Sequence, residues 1–260
     1  MKKFKKLIPA FCMLLISAML MGTSTYAWFS MNKTVTATNM SITAKANNPF
    51  LQISSTSNST GFDTTTALDK KGEDLKLVTP LNAGTLVEYY ANADAASADN
   101  KTTPTEATNA AGLLWGTASS SKPGESQGSN VPTLIENDKG NEYFVSSALW
   151  IKVVKDGANG TNLKASCKLN SPTTNTIADA VRVLLITEDG KYVIFDKDGT
   201  VMGGDAVLAA TLTAGKTGGD EGTVLKVTAY VYFDGTHNDA YTEKATDLSQ
   251  VAVDLTFTID

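Results

Sequence analysis

Chemistry-bearing residue types recur at four places in this 260-residue chain. Gly124-Glu-Ser-Gln-Gly128 fits the G-x-S-x-G pattern of a nucleophile elbow. Such an elbow needs a strand before Ser126 and a helix after it, so that the hydroxyl stands over an oxyanion hole. Its flanks, Ser119-Ser-Ser-Lys-Pro123 and Ser129-Asn-Val-Pro132, have loop composition on both sides, and the only imidazole in the chain is His237. Asp196-Lys-Asp-Gly-Thr200 has the spacing of part of a calcium loop, with Asp205 where a closing carboxylate would stand. The first ligand position would then be Ile194, which has no oxygen, and the flanking helices are missing, so a hairpin turn is expected. Incidental calcium binding by this acidic loop stays open. His237, in Asp234-Gly-Thr-His-Asn-Asp239, has only Asp234 and Asp239 nearby as co-ligands and reads as a solvated loop residue. Cys167 shares a phase with Leu163, Ala165 and Leu169, as a buried small hydrophobe would; a redox or intermolecular disulfide role is the alternative.

The inventory narrows the chemistry further. With one His, two Cys and a single Arg, Arg182, the chain lacks the means for a histidine-rich metal centre, a cysteine cluster or an arginine-based grip on phosphate or nucleic acid. No H-E-x-x-H occurs. A non-enzymatic protein is expected, with no catalytic residues, no metal and no cofactor.

Residues 1–27 read as an export leader. Lys2, Lys3, Lys5 and Lys6 form a positive start, Leu7 to Met21 is almost wholly apolar, and Gly22-Thr-Ser-Thr-Tyr-Ala27 offers the small residues that a signal peptidase needs. Cleavage is expected between Ala27 and Trp28. A membrane anchor is the competing reading, but the apolar run is shorter than the ~20 residues that span a bilayer. Cleavage removes four Lys and no acid, which moves the net charge from −5 to −9. Such a field repels nucleic acid and anionic lipid and favours solubility. Cys12 leaves with the leader, so Cys167 has no internal disulfide partner.

The elements that must position these residues are strands. Leu225, Val227, Ala229, Val231 and Phe233 alternate with Lys226, Thr228, Tyr230 and Tyr232, the period-2 pattern of a half-buried strand. Val251 to Ile259 and Leu163 to Leu169 repeat it. Glu142 to Val154 carries apolar residues in both phases, so both faces are expected to be partly covered. Glu188-Asp-Gly190 and Asp196-Lys-Asp-Gly199 punctuate Val181 to Val201 as hairpin turns. Weaker strands are expected at Phe50 to Ser54, Leu75 to Pro80, Thr85 to Tyr90 and Ala206 to Thr213, with short helices around Pro104 to Leu114 and Asp239 to Ser249. Nine to eleven strands with turn-rich connections imply an all-β chain, an antiparallel β-sandwich of jelly-roll-like form. Residues 47–260 are read as one such domain, with surface-loop insertions at 92–111 and 117–130.

Between the leader and this domain, residues 28–46 form a segment of their own. Val35 and Ala37 alternate, and after a phase change at Asn39 so do Met40, Ile42 and Ala44, giving two short strand-competent pieces. Cleavage would leave Trp28 and Phe29 at the new terminus, apolar surface that a free acidic monomer would expose to water. Two placements satisfy the pattern: pairing within the chain's own sandwich, or donation to a neighbouring sheet by β-augmentation.

The junction Gly22-Thr-Ser-Thr-Tyr-Ala-Trp-Phe-Ser30, followed by Thr34-Val-Thr-Ala-Thr38, resembles the N-terminal signature of proteins processed by the specialised signal peptidase SipW, among them the TasA and camelysin family of Gram-positive matrix-fibre proteins. The likeness covers residues 20–46. Beyond it, Tyr232-Phe-Asp-Gly-Thr236 and the closing Val-x-Leu-Thr-Phe strand are compatible with a divergent member. The resemblance implies a jelly-roll subunit that joins extracellular fibres by giving its N-terminal strand, carried by Trp28, Phe29, Val35, Ala37, Met40, Ile42 and Ala44, to the next subunit. Camelysin-like relatives are also described as metallopeptidases, an activity for which this chain lacks the zinc ligands. The expected partners are the chain itself, a signal peptidase during export and other matrix proteins, at the cell surface or in the extracellular matrix, with no nucleic acid and no stable membrane insertion after cleavage. The alternative is a secreted adhesin that binds a glycan or host protein through its loops, with Trp115 as a candidate contact.

Overall fold

The structure, a computed structural model, describes residues 34–36, 43–45, 50–66, 75–92, 100–117, 131–136, 142–170, 179–237 and 252–260. Its strands begin with β1 (Thr34–Thr36), β2 (Thr43–Lys45), β3 (Leu51–Ser54), β4 (Thr65–Thr66), β5 (Val78–Pro80) and β6 (Tyr89–Tyr90). Short pieces β7 (Lys101–Thr102), β8 (Trp115–Thr117) and β9 (Thr133–Leu134) follow. The long strands are β10 (Phe144–Val153), β11 (Gly160–Asn170) and β12 (Val181–Thr187). After them come β13 (Tyr192–Phe195), β14 (Val201–Gly204), β15 (Val207–Leu212), β16 (Val224–Phe233) and β17 (Ala252–Thr258).

Two six-stranded sheets face each other. In the first, the order is β15-β11-β17-β2-β4, with β1 also paired to β17; in the second it is β14-β13-β12-β16-β10-β3. The alternating residues fill the space between them. Val227, Ala229, Val231 and Phe233 of β16 and Leu149, Ile151 and Val153 of β10 meet Leu163, Ala165 and Cys167 of β11 and Val253, Leu255 and Phe257 of β17 in one continuous apolar core. This is the all-β sandwich that the alternation predicts, antiparallel throughout the long strands. β2 is an exception, running parallel to β17.

A third layer departs from the expected organisation. A five-stranded sheet, β5-β8-β9-β6-β7, takes β5 and β6 from two of the weaker expected strands and β7 from the 92–111 stretch read as a loop insertion, while β8 and β9 fall where no strand was expected. Its residues Val78, Leu113, Trp115 and Ile135 form a second apolar cluster with Leu184, Ile186, Ile194, Tyr230 and Tyr232 on the far face of the second sheet. β16 is therefore covered on both faces over Tyr230–Phe233, not half-exposed as its alternation suggests. The same sandwiching explains β12, where every residue is buried and Val183 to Ile186 run apolar without alternation, as strands covered on both sides do.

The helix expected over Pro104 to Leu114 is a single 3-10 turn at Ala110–Gly112, with the Asn109 side chain accepting from the Gly112 N–H. Pro104 lacks an N–H and Gly112 disfavours helix, so the segment gains more by running extended into β8. The helix expected at Asp239 to Ser249 lies outside the described residues. Both expected hairpin turns form, between β12 and β13 and between β13 and β14. In the second, Gly199 has φ +81°, and a Cβ there would fall 2.1 Å from the Cys167 carbonyl oxygen, so that position requires glycine. Among the described residues no helix is long and apolar enough to cross a membrane.

Candidate assembly edge

β17 is flanked on both edges, in two different ways. Along one edge β11 pairs in an unbroken antiparallel register from Lys164↔Thr258 to Asn170↔Ala252. The other edge is shared by two three-residue pieces of the N-terminal segment. β1 pairs antiparallel, Thr34↔Thr258, Val35↔Phe257 and Thr36↔Thr256. β2 pairs parallel, Asp254↔Thr43 and Leu255↔Ala44. Leu255 and Phe257 are fully buried, so these backbone bonds close an edge that lies against the core. Left open, it would present a row of unpaired N–H and C=O groups, the usual template for strand addition. On its outer side β2 takes β4, with Ala44↔Thr66 and Lys45↔Thr65.

Two of the expected assembly residues are thus placed, Val35 opposite Phe257 and Ala44 opposite Leu255. Ala27, Trp28, Phe29, Ala37, Met40 and Ile42 lie outside the described residues, as does the Gly124 to Gly128 motif. In the single chain Thr34–Thr36 and Thr43–Lys45 pair within their own first sheet, the internal of the two placements that the sequence allows.

The candidate metal positions are occupied with structural work. Asp196 Oδ1 accepts from the N–H groups of Asp198 (2.9 Å) and Thr200 (2.8 Å), closing its own turn. Asp205 Oδ1 accepts from the Val207 N–H at 2.8 Å, and Ile194 is buried. Asp234 Oδ1 accepts from the N–H and hydroxyl of Thr236, while Oδ2 lies 3.6 Å from Nε of Arg182. The His237 N–H donates to the Asp234 carbonyl at 3.1 Å. Among the described residues no group of three or more His, Cys, Asp or Glu side chains is placed to hold a metal ion.

Cys167 is buried between the sheets and free of any disulfide. Burial pushes its thiol up to about 12, with the nearby Asp254 and Asp196 carboxylates adding to the shift. A thiol so disposed is a poor nucleophile, because the thiolate is the reactive form.

Trp115 corrects an expectation. It is 7% exposed, its ring lying 4.7 Å from Phe144, 5.0 Å from Tyr232 and 5.3 Å from Tyr230 between centroids. It anchors the third sheet to the second and is not a surface contact for a glycan. The clue was local: Leu113 and Leu114 precede it in a segment whose polar surroundings give it the composition of a loop.

No protein-family model, curated protein or solved structure matches this chain.

Proposed function

We propose that the chain is a secreted structural subunit of an extracellular matrix or surface filament, joined to its neighbours by exchange of the N-terminal segment. The observation that carries the reading is the pairing of residues 34–36 and 43–45 with one edge of β17. An element held to the body by a strand edge can be exchanged between identical copies with every backbone hydrogen bond re-formed in the same register, which makes swapping a low-cost route to assembly. If each subunit gives its segment to the next instead of taking one back, the contact is head-to-tail and grows a filament. The leader ending at Ala27, the acidic mature chain and the resemblance over residues 20–46 support export and a matrix role; the jelly-roll form belongs to the same reading.

The test compares the full chain with one truncated before Asn47, by electron microscopy. Donation predicts filaments only from the full chain. It also predicts that a synthetic peptide spanning Trp28 to Ala46 binds the truncated chain and caps growth of the full one. Replacing Val35 or Ile42 by Asp should abolish filaments, since a carboxylate would enter an apolar groove without a partner, while each native side chain contributes roughly 1.5–3 kcal/mol when fully buried. Ordinary filaments from the truncated chain would show that another surface is the connector.

A further inference from the structure

Beside β17 the two N-terminal pieces are held in different ways. β1 pairs with β17 over Thr256–Thr258 and, among the described residues, with no other strand. β2 lies inside the sheet, bonded to β17 on one side and to β4 on the other. The two pieces run in opposite directions along one edge, β1 antiparallel to β17 and β2 parallel to it.

β4 in turn belongs to the flank that closes the sandwich. Ile53 of β3 and Asp63 exchange backbone hydrogen bonds at 2.8 and 3.0 Å, and Thr66 Oγ1 donates to Ser55 Oγ at 2.6 Å. Between them the buried Ser54 hydroxyl donates to the Thr60 carbonyl and accepts from the N–H groups of Thr56 and Ser57, which fixes the turn. The chain from β3 to β4 therefore passes from the second sheet to the first as one hydrogen-bonded piece, and β2 joins that piece to β17. Withdrawing β2 would break two ladders and part β4 from the rest of its sheet. Withdrawing β1 breaks one ladder of three residue pairs and leaves the flank closed.

Resting on the exchange reading above, we propose that the exchanged element ends at Thr36: β1 crosses to β17 of a second copy, and β2 stays with its own chain as a permanent strand of every acceptor. The vacated edge at Thr256–Thr258 takes the same three residues from the second copy in the same register. Spacing along the chain agrees. The Phe50 carbonyl accepts from the Val154 N–H at 2.8 Å and β3 pairs with β10 from Leu51 onward, so four residues, 46–49, separate β2 from chain anchored in the second sheet. One of them is Pro49, whose ring fixes its own φ and restricts Asn48. Between β1 and β2 lie six residues, Ala37-Thr-Asn-Met-Ser-Ile42, with no Gly or Pro. Fully extended, the chain from Thr36 to Thr43 reaches about 23–25 Å, roughly five times the distance between neighbouring strands. That reach carries β1 to an adjoining copy while β2 keeps both of its ladders.

The test uses the full chain with Cys12 and Cys167 both replaced by Ala and one of two pairs of cysteines added, each pair at residues opposed across an antiparallel ladder: Thr36→Cys with Thr256→Cys, or Lys45→Cys with Thr65→Cys. Opposed Cα atoms lie about 4.5–5.5 Å apart, within the range a disulfide spans. Filaments are oxidised mildly and run on a denaturing gel without reductant. The 36–256 pair should give a ladder of covalent oligomers, with about tenfold or more chain above monomer size than the 45–65 pair, because each thiol reacts with the partner that its ladder holds beside it. The 45–65 pair should form its disulfide and stay at monomer size. Thr34→Cys with Thr258→Cys, and Ala44→Cys with Thr66→Cys, repeat the comparison, so that the outcome does not depend on the folding of one variant. A ladder of oligomers from the 45–65 pair would show that β2 crosses as well, overturning this inference while exchange stands. Absence of filaments, or monomer-sized product from both pairs with both disulfides formed, would overturn the exchange reading and this inference with it.

Discussion

Arg182, the only arginine of the chain, holds its guanidinium Nε 3.6 Å from Oδ2 of Asp234 where β12 begins beside the end of β16. The arginine side chain is 7% exposed and the carboxylate 19%. A second guanidinium nitrogen donates to the carbonyls of Asp179 (2.6 Å) and Val181 (2.9 Å). Asp234 in turn receives the Thr236 N–H and bridges to β5, since Gly235 N–H donates to the Val78 carbonyl. The pair therefore ties the second sheet to the third. Removing one partner strands a largely buried charge. Arg182→Leu should cost about 3 kcal/mol in denaturant unfolding, and Arg182→Lys should recover only part of it, because an ammonium cannot serve the same divergent acceptors. A change within about 0.5 kcal/mol, the ordinary surface range, would contradict this role.

Cys167 gives a prediction in pH. Its thiol rises from an ordinary value of 9.0 to about 12 in the folded chain. A raised folded-state value means that the folded chain keeps its proton while the unfolded chain has lost it. The contribution to stability is full below pH 9 and is lost as pH climbs from there toward 12. The buried tyrosines Tyr230 and Tyr232, also raised by burial, push in the same direction. The difference between the parent chain and Cys167→Ala isolates the thiol: the variant should lose stability less steeply over that window. At neutral pH the substitution should cost about 1 kcal/mol, the value of one small buried group. Thiol reagents should label the parent only as fast as it unfolds.

Trp115→Ala should destabilise by about 3–5 kcal/mol, the usual cost of emptying a large aromatic site. Its four-ring cluster with Phe144, Tyr230 and Tyr232 should lose its near-ultraviolet circular dichroism at the same time. Trp115→Phe should retain much of both. The first two sheets share a separate core, so hydrogen exchange in the Ala variant should rise first in β5, β8 and β9 and only later in β11 and β17. Uniform acceleration throughout would mean that the third layer is not a separable unit.

Mass spectrometry of protein recovered outside expressing cells should find Trp28 at the amino terminus. The expectation rests on the Lys-rich start, the apolar run and the small residues before Ala27. A membrane-bound product that keeps Lys2 to Lys6 would identify the segment as an anchor.

The long strands were legible because their two faces meet different surroundings. Val253, Leu255, Phe257 and Ile259 alternate with Ala252, Asp254, Thr256 and Thr258, and the first set is buried in the core while the second is intermediate in exposure. The hairpins at Asp189–Gly190 and Asp196–Gly199 were legible because positive φ and side-chain capping at a turn are local demands. By itself the sequence determined an all-β chain, its principal strands, its tight turns and the burial of Cys167. It could not determine what covers the tyrosines of β16, for alternation distinguishes two faces without naming the neighbour of either. That was decided by a third sheet assembled from strands of two or three residues, too short to show any period. Likewise, Val35 and Ala44 fit a strand wherever it pairs, and their meeting with Phe257 and Leu255, about two hundred residues away along the chain, is set by tertiary structure. Local pattern records which face is apolar, and only long-range register decides against what it closes.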